Sequence, residues 1–177
     1  MREIGKPHPR LPLPAEGRED DPQRFLAWLG EAIPMVEHLG IREMRRDGQR
    51  LVWQLALAPS LNDKGTGFGG ALTAQTTLLG WCWTTLWLRR RGLARNVVVA
   101  EASQRFLAPV TGDYRLECTP EEEGGPARLV DQLAEKGRGR ILLRQRLWCG
   151  ETLCLEARGD YAVLAERRVE NGLQSGT

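Results

Sequence analysis

The segment Asn62–Gly70, with the sequence NDKGTGFGG, runs directly into Ala71–Leu88, a stretch without a single charged side chain. The glycines predict a tight loop, and the apolar residues after them predict a long helix. The first amides of such a helix have no acceptor within it, and its dipole is positive at this end. Apolar side chains cover nearly every face, which is typical of a helix buried in a core or a membrane.

A membrane span is the alternative for this segment, because Gly65–Leu88 is long enough to cross a bilayer. The threonines of the helix, its Gln75 and the glycines at its start argue against contact with lipid. The basic run Arg89–Arg91 suits a cytoplasmic flank, but basic residues equally suit the C-terminus of a helix. We therefore favour a core helix wrapped by a sheet.

The composition is that of one globular domain. The chain has 177 residues, 41% of them hydrophobic and 27% charged, and a formal net charge of +2, too small to indicate bulk nucleic-acid binding. We expect a disordered or loosely packed arm over residues 1–21, the domain over 22–167 and a tail over 168–177. No apolar leader is present in the first 24 residues, so we expect a cytoplasmic protein.

Periodicity predicts the order of the elements. A helix begins at Pro22 after the capping residue Asp21, is kinked at Pro34 and ends at Gly40. Apolar residues then alternate with polar ones along a hairpin and four later strands. The predicted strands cover residues 41–46, 50–58, 96–107, 114–118, 139–149 and 152–164. A short helix is predicted over residues 126–135. One antiparallel sheet curled around the long helix, an α+β arrangement, buries both apolar surfaces at once.

Three separated motifs also carry a family resemblance. The first is Asn62–Leu72 with Gly80-Trp81, the second Val97–Asp113, and the third Lys136–Arg140. Together they resemble the hot-dog-fold thioesterase-type domain found at the C-terminus of YiiD-type acetyltransferases, over residues 25–165. The resemblance implies a hot-dog fold, a homodimer or dimer of dimers, and sites at the interface between subunits.

Other chemistries fit the sequence less well. Gly65-x-Gly67-x-x-Gly70 has dinucleotide-binding spacing, but Glu101 lies too far along the chain and no repeated βαβ units follow. No Gly-Lys-Ser/Thr follows the glycines, which excludes a Walker-type loop. Four cysteines and two histidines show no metal-ligand spacing, so we expect reduced core thiols and no metal site.

Hydrolysis of an acyl thioester gives the loop and the helix start a chemical role. The backbone amides of Gly70 and Ala71 would stabilise the oxyanion. Asn62 either orients the thioester or a water, or caps the loop through local backbone hydrogen bonds. Many hot-dog thioesterases carry a carboxylate on the helix where this chain has Thr76 and Thr77, so the chain departs from that pattern. A threonine hydroxyl does not act as a base near neutral pH, but it can hold a water. Each hydroxyl has the alternative of bonding a helical carbonyl. The candidate replacement carboxylates are Asp63, which we favour slightly, then Glu101, and Asp113 as a turn residue.

The substrate is expected to be an acyl-CoA or an acyl-carrier-protein thioester, with coenzyme A as part of the substrate and no separate cofactor. A non-catalytic acyl-thioester-binding module, or an accessory domain to an acyltransferase, is the alternative. Phe68 and the glycines would let the acyl chain and pantetheine pass close to the backbone. Basic residues would contact phosphates. The predicted substrate-binding residues are Lys64, Thr66, Phe68, Gly69, Glu101, Arg105 and Arg138.

Overall fold

The computed structural model describes residues 3–166. Its helices are α1 (Pro22–Ala32), α2 (Gly69–Arg89) and α3 (Gly125–Lys136), and short 3-10 turns cover Pro34–His38 and Ala58–Ser60. Its strands are β1 (Ile41–Asp47), β2 (Arg50–Leu55), β3 (Val97–Phe106), β4 (Tyr114–Pro120), β5 (Gly139–Cys149) and β6 (Thr152–Val163). All strands pair antiparallel in the order β1-β2-β4-β5-β6-β3.

The sheet curls around α2, as the apolar pattern predicts. Leu79 and Cys82 of the helix are fully buried, against inward-facing sheet residues such as Leu116, Leu143 and Leu155 that are also fully buried. Residues alternate between core and solvent along β5, as a sheet with one buried face requires. The predicted antiparallel sheet wrapped around one long helix is confirmed. In residues 3–166, no helix is long and apolar enough to cross a membrane.

The first helix is shorter than its periodicity predicts. Asp21 caps α1 as expected, because its Oδ1 accepts the N–H groups of Gln23 and Arg24 at 2.8 and 3.0 Å. The helix ends at Ala32, and Pro34 opens a separate 3-10 turn instead of kinking a continuous helix. Proline has no amide hydrogen to donate to the preceding turn, which accounts for the break.

Gly80, part of the first motif, allows the helix to pack closely on the sheet. The Tyr161 hydroxyl donates a 2.8 Å hydrogen bond to the Thr77 carbonyl of α2. A Cβ atom at Gly80 would lie only 2.0 Å from that hydroxyl oxygen. The absence of a side chain at Gly80 therefore sets the distance between α2 and β6.

The N-terminal arm is irregular but anchored where it crosses the end of α2. The buried Arg89 guanidinium donates to both carboxylate oxygens of Asp20, at 2.8 and 2.9 Å, and to the carbonyls of Leu11 and Pro12. These contacts cover the C-terminal end of the helix. The predicted tail, residues 168–177, lies outside the described residues.

Gly80→Ala is expected to lower the free energy of unfolding by about 3 kcal/mol or more, because the new methyl group displaces Tyr161 and its hydrogen bond. Gly30→Ala is the matched control, also a glycine inside a helix. Its Cβ would meet its nearest neighbour at 3.9 Å, so we expect no loss and a gain of up to about 1 kcal/mol. Urea unfolding measures both, and equal stabilities would contradict the close contact at Gly80.

Candidate active site

The side-chain amide of Asn62 organises the glycine loop from inside. Its Oδ1 accepts the N–H groups of Lys64 and Thr66 at 2.9 and 3.0 Å. Its Nδ2 donates to Thr66 Oγ1 at 2.9 Å and to the Gly67 carbonyl at 3.3 Å. Both ends of the amide are thus occupied by the loop, so Asn62 adopts the loop-capping role and not the role of orienting a substrate. Thr66, predicted to bind substrate, is likewise held within the loop.

The loop is fixed to the core just before the helix begins. Gly67 N–H donates to the Val110 carbonyl at 2.9 Å, and Phe68 N–H donates to the Ser60 carbonyl at 2.7 Å. Ser60 Oγ accepts from the buried Gln75 Nε2, and the Tyr114 hydroxyl donates to Gln75 Oε1 at 2.8 Å. Burial raises the pKa of Tyr114, so its hydroxyl keeps its proton. This buried network holds the helix start in one position.

The first turn of α2 has free backbone amides. No side chain caps the helix, and its first backbone hydrogen bond runs from Leu72 N–H to the Phe68 carbonyl. Within residues 3–166, the N–H groups of Gly69, Gly70 and Ala71 therefore have no acceptor. Gly70 is exposed, and the other two are half-exposed. The predicted pair of amides, Gly70 and Ala71, lies open at the positive end of the helix dipole.

Two exposed aromatic rings border this opening. Phe68 is 54% exposed and Phe106, at the end of β3, is 56% exposed. A Cβ atom on Gly70 would lie 2.7 Å from the Phe68 ring, and one on Gly69 would lie 3.6 Å from the Phe106 ring. The glycines thus let both rings approach the helix start. Sequence reasoning predicted Phe68 but missed Phe106, whose position depends on how β3 pairs with β6.

A strip of partly exposed surface extends from the opening along α2, where the helix packs beside β3. We call it the α2–β3 groove; it consists of the half-exposed helix residues Ala74, Thr77, Leu78 and Trp81 and the inward-facing strand residues Val99, Ala102, Gln104 and Phe106. Trp81 Nε1 closes the far end by donating to the Val97 carbonyl at 2.9 Å. Half-buried Gln104 is a polar wall residue that sequence reasoning also missed.

The two threonines predicted to hold a water differ in position. Thr76 is fully buried and its hydroxyl donates to the Thr73 carbonyl at 2.9 Å, so the helix satisfies it and it does not reach the opening. Thr77 is half-exposed and lies two helical turns beyond Gly70, on the same face. Of this pair, only Thr77 lines the α2–β3 groove.

Glu101 and Arg105 lie on the wrong face of the sheet to line the groove. Glu101 is directly opposite Asp160, and Arg105 is opposite Glu156. Residues paired in this way point to the same side, and Asp160 faces outward to bind Arg140. Within one chain, these two side chains therefore point away from the helix start.

The remaining carboxylates also have local partners. Asp63 is exposed at the tip of the loop, with both oxygens 3.0 Å from Lys64 Nζ. Asp113 accepts the Leu57 N–H and an Arg42 hydrogen bond, which together lower its pKa. Asp113 is thus a turn residue whose carboxylate stays ionised at neutral pH. Asp63 and Lys64 stay candidates because the loop tip is open to solvent.

Arg138 lies at the other end of the sheet from Gly70. It lines an open cleft with Lys136, Arg140 and the end of β6. Gly139 of β5 pairs with Val163, which in turn pairs with Val97, whereas Phe106 marks the opposite end of β3. Within a single chain, the basic motif and the helix start are separated by the length of the strand.

Thiol and metal chemistry have no support in the described part of the chain. All four cysteines are free, and burial raises the pKa of Cys82, Cys118 and Cys154. Thiols in that state are poor nucleophiles at neutral pH. Residues 3–166 contain no cluster of histidine, cysteine and carboxylate side chains suited to a metal ion.

Asn62→Ala is expected to lower the free energy of unfolding by about 1–3 kcal/mol, because the Lys64 and Thr66 amides lose their acceptor. Hydrogen exchange at the Lys64 and Thr66 amides should speed up in parallel. Asp63→Ala, at the exposed tip, is the control and should change stability by no more than about 0.5 kcal/mol. Unchanged stability and exchange in Asn62→Ala would show that the loop does not depend on this amide.

Solved structures of other proteins share this fold. A crystal structure of a protein of unknown function from Chlorobaculum tepidum superposes with a TM-score of 0.74 at 27% identity, covering 81% of this chain and 94% of that one. A proposed thioesterase from Shewanella oneidensis gives 0.68 at 25% identity, covering 80% and 96%. A thioesterase from Haemophilus influenzae gives 0.69, covering 87% and 97%, and at 16% identity it supports the fold alone. Residues 23–165 match the family described as "Putative thioesterase (yiiD_Cterm)", and the chain belongs to this hot-dog-fold family.

Proposed function

We propose that this protein hydrolyses an acyl thioester, carried by coenzyme A or by an acyl carrier protein, at the start of α2. The observation that carries the proposal is the exposed first turn of α2, where the amides of Gly69, Gly70 and Ala71 lack acceptors and stand between two aromatic rings. Membership of a thioesterase family supports the same chemistry.

The amides of Gly70 and Ala71 act on the thioester carbonyl oxygen. Attack by water on the carbonyl carbon places negative charge on that oxygen, and two fixed N–H donors at a positive helix end stabilise the charge. The carbon–sulfur bond then breaks. The sulfur leaves as a thiol after taking up a proton, and the acyl group leaves as a carboxylate.

Thr77 positions the attacking water, and the α2–β3 groove accommodates the acyl chain. The Thr77 side chain is on the same helix face as Gly70 and is half-exposed. A threonine hydroxyl holds a water but does not remove its proton near neutral pH. Asp63, exposed at the tip of the loop, is the carboxylate we assign to removing that proton.

Thr77→Val should lower kcat/KM for acyl-CoA by about 10-fold to 100-fold, because the water loses its hydroxyl partner. Thr76→Val removes a hydroxyl one residue away that already bonds the helix, and it should retain nearly full activity. Release of free thiol from short, long and aryl acyl-CoAs, followed colorimetrically, measures both. Equal activities of the two variants would contradict the role of Thr77.

A non-catalytic acyl-thioester binder is the second candidate. It is favoured by one observation: the face of α2 that lines the groove carries no carboxylate. Calorimetry with a non-hydrolysable acyl-CoA analogue and the thiol assay distinguish the two. Saturable binding with no thiol release from any acyl-CoA would support the binder and overturn hydrolysis.

The active assembly in this proposal is a homodimer formed through β3. This strand is an edge of the sheet, and nearly all of its residues are exposed, including Val98 and Val99. A long exposed edge with apolar side chains pairs readily with another strand. A second copy paired antiparallel along β3 would continue the sheet and cover the half-exposed face of α2.

Antiparallel pairing would also complete the site. The beginning of the partner's β3 would then lie beside Phe106, and with it the basic cleft that contains Lys136 and Arg138. The cations of one subunit would face the helix start of the other. We propose that they bind the phosphates of coenzyme A, with a dimer of dimers as the larger assembly.

Ala102→Pro on β3 should shift the protein from dimer to monomer in sedimentation experiments and reduce thioesterase activity with it, because proline removes an edge hydrogen bond and its ring obstructs pairing. Arg46→Pro on β1, the other edge, is the control, because its N–H also points away from the neighbouring strand, and it should leave the dimer intact. A monomeric wild-type protein with full activity would overturn the dimer proposal.

A further inference from the structure

The five threonines of α2 differ in what their hydroxyl groups bind. Thr76 and Thr84 donate to carbonyl oxygens of their own helix, at 2.9 and 3.0 Å. Thr85 Oγ1 is buried and has no partner in the described part of the chain. Thr73 and Thr77 are half-exposed, and neither hydroxyl has a hydrogen-bond partner among the described residues. These two hydroxyls are therefore free to bind a molecule outside the helix.

Thr73 lies nearer to the open amides than Thr77 does. It is three residues beyond Gly70, and Thr77 is seven beyond. At about 100° of rotation per residue, both threonines lie within about 60° of the direction of Gly70. Helix side chains tilt toward the N-terminus of their helix, so the Thr73 hydroxyl lies over the first turn, where the Gly70 and Ala71 amides have no acceptor. Thr73 is thus the free hydroxyl closest along α2 to the proposed position of the thioester carbonyl.

We propose that Thr73 and Thr77 hold the attacking water between them, as two hydroxyls one helical turn apart. Residues four apart on a helix have Cβ atoms about 5–6 Å from each other. Two O–H···O hydrogen bonds of about 2.8 Å each span the same distance, so one water fits between the two hydroxyls. The inference rests on the proposed hydrolysis, to which it adds a second residue that contacts the nucleophile.

The water has enough hydrogen-bonding positions for both threonines and for the reaction. It donates one hydrogen to Thr77 Oγ1 and accepts one from Thr73 Oγ1, which leaves one lone pair to attack the carbonyl carbon. Its second hydrogen passes as a proton to the base, assigned above to Asp63, while the carbonyl electron pair moves onto the oxygen at the helix start. Neither threonine gains or loses a proton. A water held at two points has a fixed direction of attack, which a single hydrogen bond would leave free to rotate.

Thiol release by the full-length chain tests the pair, measured with the acyl-CoA that the wild type hydrolyses best. Thr73→Val keeps the side-chain shape and removes the hydroxyl. We expect its kcat to fall by about tenfold or more with KM within about twofold of wild type, because the hydroxyl acts on the water and not on substrate binding. Thr73→Ser keeps a hydroxyl and should retain kcat within about threefold. The double variant Thr73→Val/Thr77→Val should lose about as much as either single variant, because both hydroxyls act on the same water.

Thr85→Val is the matched control, since Thr85 is another threonine of α2 whose hydroxyl lacks a partner among the described residues. It lies twelve residues beyond Thr73, about 18 Å along the helix axis, and its replacement should leave hydrolysis unchanged. Full kcat in Thr73→Val, equal losses in Thr73→Ser and Thr73→Val, or losses that multiply in the double variant would overturn the pair and leave hydrolysis standing. No thiol release by the wild-type chain would overturn the proposed hydrolysis, and the pair with it.

Discussion

The burial of α2 inside a curled antiparallel sheet is the constraint on which the rest of the structure depends. A helix without charged side chains from Ala71 to Leu88 has to be covered along most of its length. The sheet covers one side, and Gly80 lets Tyr161 approach close enough to bond the helix backbone. The end of the helix is covered by the arm through Arg89 and Asp20. Its glycine-flanked start stays open, so unsatisfied amides and open space coincide there.

Much of the fold follows from local patterns in the sequence. The period of two in the strands, the Asp47-Gly48 turn and the apolar length of α2 are each short-range signals, and the structure contains the elements they predict. The sequence predicted an interruption at Pro34 at the right position, but it predicted a kink where the helix in fact ends. Periodicity on both sides of a proline does not reveal whether a helix bends or ends there. The anchoring of the arm depends on an ion pair between residues 69 positions apart, which no local pattern contains.

The site was harder to predict because side-chain direction depends on small rotations. Thr76 and Thr77 are adjacent in sequence, yet about 100° of helical rotation places one in the core and the other in the groove. On β3, strict alternation from the inward-facing Val97 and Val99 would turn Glu101 inward. The strand has an irregularity between Val99 and Glu101, where its register against β6 shifts by one residue. A one-residue shift reverses every later side chain, so Glu101 faces outward.

The same shift creates part of the candidate site. Without the register shift, Arg105 would point inward and Phe106 would point away from the helix. With the shift, Phe106 lies opposite the buried Leu155 and its ring reaches Gly69. Bulges of this kind recur at sheet edges and beside active sites, where they redirect a side chain. The sequence marks the position only by Ala100, which follows three valines, and this is not a recognisable signal. The irregularity at Ala100, which makes a simple inward–outward count fail along β3, is thus also what places the Phe106 ring beside the helix start.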